Sequence, residues 1–261
     1  MKRGIRLTKI FAIVSNKGGV LKSTLTVNIG AELSRNYRVL LLDTDGQSNV
    51  AGTFGLIERN VKATLFSCLI GENSLEEAIE NVAPNIDVVV AGELMNGYSN
   101  YTRQREISPV KLYNLVNEVK DSYDYIIIDT PPSKNDATLQ AKLAADEIII
   151  PFHPEGYDVA AIVATLDGIT EVKEKTSKKL KVNSIVITKF DYRLSHHKKI
   201  AKDVQMLGNR LGIKIVKTRV PYLSSGGKSV VEEQLPTVLS KKWNKLKGIY
   251  ANVAKEVVEN G

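Results

Sequence analysis

Apolar residues in this chain follow two alternating rhythms. Short runs rich in Ile, Val and Leu, apolar on consecutive positions, occupy 10–15, 38–43, 86–91, 125–129, 147–151, 183–188 and 214–218. Runs this short and this uninterrupted predict strands covered on both faces. Between them, the windows 22–35, 107–121, 136–145, 156–176, 195–211 and 239–258 place apolar residues three and four apart, which predicts helices with one buried stripe. Repeated strand–helix alternation predicts an α/β fold: a doubly wound, mostly parallel β-sheet with helices on both faces. Ligands in that architecture bind beyond the carboxyl ends of the strands. The stretch 96–106, with Gly97 and two each of Tyr, Asn and Arg, reads as an exposed loop. No linker or repeat interrupts the pattern, so 1–261 is read as one domain.

Composition adds limits. Hydrophobic residues at 43% and charged residues at 25% match a globular chain with a sizeable core. No apolar run approaches the roughly 20 residues of a membrane span. The basic start, residues 1–6, leads into a strand-like run without a small-residue cleavage site, so no signal peptide and a cytoplasmic location are expected. The one cysteine, Cys68, excludes an internal disulfide or a CxxC metal knuckle and reads as a small buried hydrophobe. The net charge of +7 is unevenly distributed: residues 1–150 hold 16 Lys and Arg against 18 Asp and Glu, whereas 151–261 hold 20 against 11. A surplus confined to the later part fits either a polyanionic partner or a lysine-rich solvated surface.

The candidate chemistry follows the strands. After the first comes Ser15-Asn16-Lys17-Gly18-Gly19-Val20-Leu21-Lys22-Ser23-Thr24, opening a helix. Glycines let backbone amides curl around an anion, the helix presents its positive end, a lysine reaches phosphates and the adjacent hydroxyl ligates Mg²⁺. Lys22 and Ser23 stand in the last two roles. Asn16 and Leu21 occupy the glycine positions of the general GxxxxGK[ST] pattern, and a Cβ at Leu21 restricts the backbone. After the second strand, Asp43 and Asp45 alternate and so can face one site. The apolar run 125–128 ends in Asp129, followed by Thr130-Pro131-Pro132. A strand-end aspartate is suited to Mg²⁺, which takes one or two carboxylates and keeps much of its water.

Lys17-Gly18-Gly19-x-x-Lys22-Ser23-Thr24 resembles the deviant Walker A loop of the ParA/MinD family of ATPases. The segment 43–49 is similar to that family's D-x-D-P-Q-G-N, with Gly46 and Ser48 as departures, and 125–132 to its Walker B strand and switch. The resemblance covers about residues 8–240 and is loosest between 52 and 105. It implies a P-loop NTPase fold with ATP and Mg²⁺ as cofactors, bound by Lys17, Gly18, Gly19, Val20, Leu21, Lys22, Ser23 and Thr24. It implies that Lys17 crosses a dimer interface to the partner's nucleotide in an ATP-dependent homodimer, that Asp45 positions the attacking water, and that Ser23, Asp43 and Asp129 serve the metal. Lys17, Lys22 and Asp45 are thus the expected catalytic residues. Thr130 and the following prolines are expected to sense the γ-phosphate. Thr188 and Pro221 match family positions near the adenine, although Tyr222 stands where the family has arginine.

Among family branches, iron-protein members need cysteine pairs, and tyrosine-kinase members a C-terminal tyrosine cluster where this chain has only Tyr250. MinD-like members end in a membrane-seeking helix. Here Leu239, Trp243, Leu246, Ile249, Tyr250, Val253 and Val257 have helical spacing, which is read as a helix packed on its own sheet, so no membrane partner is expected. The remaining branch is the ParA type, which implies nonspecific DNA binding by the ATP-bound dimer, release on hydrolysis stimulated by a ParB-like centromere-binding protein, and a nucleoid-associated location. Lys198, Lys199, Arg219 and Lys228 are the expected DNA contacts. His196 and His197 are read as a solvated pair rather than a metal site. With the first strand starting near residue 8, no N-terminal helix-turn-helix domain is expected. A MinD-like positioning ATPase and a nucleotide-holding module without turnover are the alternatives.

Overall fold

The apolar runs form the strands of one eight-stranded sheet in the computed structural model, which describes residues 7–155, 158–176, 178–222, 228–242 and 244–259, with backbone alone at 158, 228, 244 and 245. The strands are β1 (Lys9–Ile13), β2 (Val39–Asp43), β3 (Ile79–Ala83), β4 (Ile86–Val89), β5 (Tyr125–Asp129), β6 (Glu147–Phe152), β7 (Lys181–Ile187) and β8 (Lys214–Ile215). Their order across the sheet is β3-β4-β2-β5-β1-β6-β7-β8. Every pairing is parallel except β3 against β4.

The α-helices are α1 (Lys22–Leu33), α2 (Asn49–Thr53), α3 (Leu65–Leu69), α4 (Tyr98–Arg105), α5 (Lys111–Val119), α6 (Asp136–Ala144), α7 (Asp158–Thr176), α8 (Ser195–Leu211), α9 (Lys228–Glu233) and α10 (Asn244–Val258). Alternate strand residues divide between two cores. Ile10, Ala12, Leu40, Leu42, Ile126 and Ile128 face a core closed by α3 to α8. Phe11, Ile13, Val39, Leu41, Tyr125 and Ile127 face a second core closed by α1, α2 and α10. Both faces being apolar is why the central strands read as continuous hydrophobic runs. Helix α1 lies so close to β2 that a Cβ on Gly30 would stand 2.6 Å from Leu41 Cδ2.

The structure corrects two expectations and adds a strand that the sequence pattern did not predict. The segment 96–106 is largely helical rather than a loop: α4 buries Tyr98, whose hydroxyl accepts a hydrogen bond from Gln140 Nε2 at 2.5 Å, while the Thr102 hydroxyl donates to Asp136. Strand β3 carries no apolar run because it is a half-buried edge. The last strand ends at Ile215, short of the expected 218, because the Glu256 carboxylate accepts the amides of Lys217 and Thr218 at 2.7 and 3.0 Å. Helix α10 packs inward through Leu246, Tyr250, Val253 and Val257; Trp243 lies outside the described residues. No described helix is long and apolar enough to cross a membrane.

Candidate functional site

Strand register brings the motifs to one edge. Asp129 pairs with Asp43 across β5 and β2 and with Ile13 across β5 and β1, so both acids and the loop after β1 emerge at the same level. Hydroxyls tie the three strand ends: Thr130 Oγ1 donates to the Ile13 carbonyl at 2.7 Å and Thr44 Oγ1 to the Asp129 carbonyl at 2.6 Å.

Gly18 and Gly19 are exposed at the tip of the loop, with Gly19 at φ +70°. Leu21, the residue before α1, also adopts the left-handed conformation, with φ 67° and ψ 34°. The leucine therefore keeps a backbone shape that glycine adopts without strain, at a cost of about 1–2 kcal/mol. Its half-buried side chain packs against the core on the α1 side, which offsets that cost. In the first turn of α1, the amides of Lys22, Ser23 and Thr24 have no preceding carbonyl to bind, and all three residues line a cleft of about 540 Å³ with Gly19, Asp45, Pro132 and Lys189.

Behind the cleft, Asp129 is fully buried and accepts hydrogen bonds from Ser23 Oγ at 2.5 Å and Thr26 Oγ1 at 3.0 Å. Asp43, equally buried, accepts the amides of Asp45 at 3.0 Å and Val50 at 2.9 Å. Burial pushes the Asp43 carboxyl well above the usual carboxylate range, and the Asp129 charge adds to this. Burial likewise raises Asp129, against the pull of Ser23, Thr26 and Lys22. Lys22 is 7% exposed; burial lowers its pKa while Asp129 and Asp45 oppose the shift, and its ammonium donates to the Lys17 carbonyl at 3.4 Å. Two buried acids short of countercharge behind a hydroxyl are a hard-oxygen set that suits a divalent cation.

A family model described as AAA domain matches residues 8–182. The sporulation initiation inhibitor protein Soj of Bacillus subtilis (strain 168) is 30% identical over 258 residues, 97% of this chain and 99% of that protein. The chromosome partitioning protein ParA of Caulobacter vibrioides (strain NA1000 / CB15N) is 29% identical over 245 residues, 91% of this chain and 92% of that one. The chain belongs to the ParA family of partition ATPases. A solved structure of cobyrinic acid a,c-diamide synthase from Mycobacterium smegmatis, with bound ATP analog and magnesium, shares the fold at TM-score 0.82 and 23% identity, covering 97% of this chain and 95% of that one.

In this ParA-family ATPase the outlying candidates are placed unevenly. Val20 is buried beneath the loop, and its carbonyl accepts the Thr188 hydroxyl at 3.1 Å. That hydroxyl also lies 3.1 Å from the Phe152 carbonyl, so Thr188, fully buried, braces the loop and does not line the cleft. Pro221 bridges to Phe190 and likewise lies off the cleft lining. Lys198 and Lys199 are exposed in the first turn of α8. The Arg219 guanidinium sits 4.3 Å from the centre of the Phe190 ring. Lys228 begins α9, and its side chain lies outside the described residues. Other cations of the basic part are engaged: Lys175 pairs with Glu171 and Lys242 with Glu232, while Lys178 and Lys214 donate to the carbonyls of Leu143 and Glu256.

The histidines do not form a solvated pair. His196 is exposed, but His197 is 2% exposed and accepts the Asp191 amide on Nδ1 at 3.0 Å. It groups with His153 and Glu155, their ligand atoms within 4.8 Å of one another. An Nδ1 that accepts an N–H leaves the hydrogen on Nε2, which opposes a cation there. Cys68 is buried as expected, and burial raises its thiol to about 11. Sequence reasoning missed Thr26, whose spacing from Ser23 places both hydroxyls on one side of α1. It also missed Lys189, which occupies an unspecified position in the segment 187–193 that resembles a family strand end of the form T-x-x-D-x-R.

Proposed function

We propose that this ATPase binds ATP with Mg²⁺ in the cleft, closes into a homodimer, binds duplex DNA without sequence preference in that state, and releases it when ATP is hydrolysed. The observation that carries the reading is the convergence of Lys22, Ser23 and Asp45 at the positive end of α1, with Asp43 and Asp129 buried behind them. Lys22 and the first-turn amides bind the β- and γ-phosphates. Ser23 and Asp129 would hold Mg²⁺, and Asp43 would support that shell from the neighbouring strand. The ion supplies neutralisation of phosphate charge. Asp45 stands in the cleft with one oxygen accepting the Gln47 amide at 3.1 Å, an arrangement suited to orienting a water. Lys17 is the residue proposed to reach the partner's nucleotide.

The DNA step rests on the exposed Lys198 and Lys199, with Arg219 and Lys228 proposed beside them. Phosphate contacts of this kind need no base-reading element. A ParB-like centromere-binding protein is the proposed stimulator of hydrolysis, and cycles of binding and release would move plasmid or chromosome copies. A gel shift on random-sequence duplex with ATP, ADP or no nucleotide, repeated across salt concentrations, tests the reading. Binding with ATP alone, weakening steeply with salt, is expected. Retention on liposomes but not on DNA would replace it with the membrane-positioning reading.

A further inference from the structure

The cleft holds a cation that neither the loop after β1 nor the acid motifs supply. Lys189 leaves the carboxyl end of β7, half-buried, with a left-handed φ of 49°. Its neighbours fix it there. On one side Thr188 is bonded through its amide to the Phe152 carbonyl at 2.7 Å and through its hydroxyl to Val20 and Phe152. On the other, Phe190 is 1% exposed, its amide bonded to the Val220 carbonyl at 2.9 Å and its carbonyl to the Tyr222 amide at 3.1 Å. A backbone held in a conformation that a Cβ disfavours fixes the direction in which the Lys189 side chain leaves the strand end. That direction is the phosphate loop: Lys189 Nζ lies 3.8 Å from the point a Cβ on Gly19 would occupy, and the residue lines the cleft.

Among the described residues the Lys189 ammonium has no hydrogen-bond or ion-pair partner, and the one carboxylate lining the same cleft is that of Asp45. Lys22 and the positive end of α1 share the cleft with it. Asp43 and Asp129 lie fully buried beneath, engaged by Val50 and Asp45 amides and by Ser23 and Thr26 hydroxyls. The two ammonium groups that line the cleft repel one another, and a polyanion between them would relieve that repulsion. We infer that Lys189 is a further nucleotide-binding residue of this chain, contacting the polyphosphate of the nucleotide held in its own protomer. The inference rests on the ATP reading above. It differs from the role proposed for Lys17, because Lys189 acts within one subunit and therefore contributes when the protein is monomeric.

The test is the affinity of the full chain for ATP and ADP, by calorimetry at concentrations where it is monomeric, for the parent, Lys189→Met, Lys189→Arg and Lys22→Ala. Lys189→Met is expected to weaken both nucleotides about tenfold, and Lys189→Arg to restore most of the loss, as a charge-assisted contact requires. The same Met variant should show a shallower dependence of affinity on salt, and its melting temperature without nucleotide should match the parent, which a merely structural lysine would not do. Parent-like affinity in Lys189→Met, or failure of Arg to restore binding where the unliganded protein melts normally, overturns the inference while ATP binding by the parent keeps the broader reading. A parent that binds neither nucleotide overturns both.

Discussion

The loop after β1 and the loop after β7 solve the same problem by different means. Each leaves the carboxyl end of a parallel strand, each holds one non-glycine residue in left-handed backbone (Leu21 and Lys189), and each brings a lysine to the cleft. The first loop is shaped locally, by adjacent glycines and by the helix that starts at its end. The second is shaped from far along the chain, by Val20, Phe152, Val220 and Pro221. Local shaping leaves a contiguous motif and long-range shaping leaves only scattered matches such as Thr188 and Pro221, so the two lysines differ in visibility more than in placement.

The comparison can be broken by substitution, most strongly at the first loop. Lys22→Ala should weaken ATP binding by about 100-fold or more, because a buried charge-assisted contact to phosphate is lost; titration with a fluorescent ATP analogue reads this directly. Under the same conditions Asp45→Ala should retain ATP and lose turnover, which phosphate release measures, and normal turnover would remove Asp45 from the catalytic role.

Stability separates the loops next. Phe190→Ala removes the buried ring that anchors the second loop and supports Arg219, and should cost about 3–5 kcal/mol. Urea unfolding should show this as a lower midpoint, and nucleotide affinity should fall with it if Lys189 loses its placement. A smaller effect is expected at Glu256. Burial raises its carboxyl, but hydrogen bonds from the Thr218 hydroxyl and the amides of Lys217 and Thr218 outweigh that and hold it below its ordinary value of 4.5. A lowered folded-state pKa contributes stability above the unfolded value that is lost as pH falls through the folded one. Glu256→Gln should therefore be less stable by about 1–2 kcal/mol at pH 7, with the gap closing below pH 4.5 in thermal melts taken as a pH series.

The smallest change is expected at Leu21→Gly. Relief of left-handed strain, about 1–2 kcal/mol, is set against the larger unfolded-state entropy of glycine, roughly 0.5–1 kcal/mol, and the loss of the leucine's packing. Nucleotide binding should stay within a few-fold of the parent, measured by calorimetry. Lost binding would mean that the leucine side chain, not merely its backbone angle, builds the loop.

Seven of the eight strands were legible, the central ones because their residues are buried on both faces, which erases the polar alternation that hides a strand, and the short edge strand β8 through its apolar neighbours. Strand β3 was illegible for the opposite reason: Ile79–Ala83 lies half-buried at the edge and borrows its order from β4. Helix α4 escaped notice because its stretch is mostly polar: Tyr98 and Tyr101 pack edge-on against Phe66, and hydrogen bonds join Tyr98, Ser99 and Thr102 to α6. Within the candidate site, Lys22, Ser23, Asp43, Asp45 and Asp129 were readable from spacing, whereas Lys17 lines a separate small pocket with Val20 and Phe152. Thr188 was noticed for a place near the adenine, and its hydroxyl bonds to the Val20 and Phe152 carbonyls were not, since a family position says nothing of the carbonyls a hydroxyl meets. His196 and His197 read as a solvated pair because adjacent residues cannot share one helix face, yet that same turn of about 100° sends His197 inward while His196 stays exposed.

The sequence alone determined the succession of strands and helices and the order in which lysine, hydroxyl and acids follow their strands, because periodicity and motif are properties of neighbours in the chain. Tertiary structure alone decided that Asp43 and Asp129 share one buried level behind Ser23 and that Lys189 stands over Gly19. These depend on register between strands distant in sequence and on packing across the sheet, where a single residue's displacement would send each side chain to the opposite face.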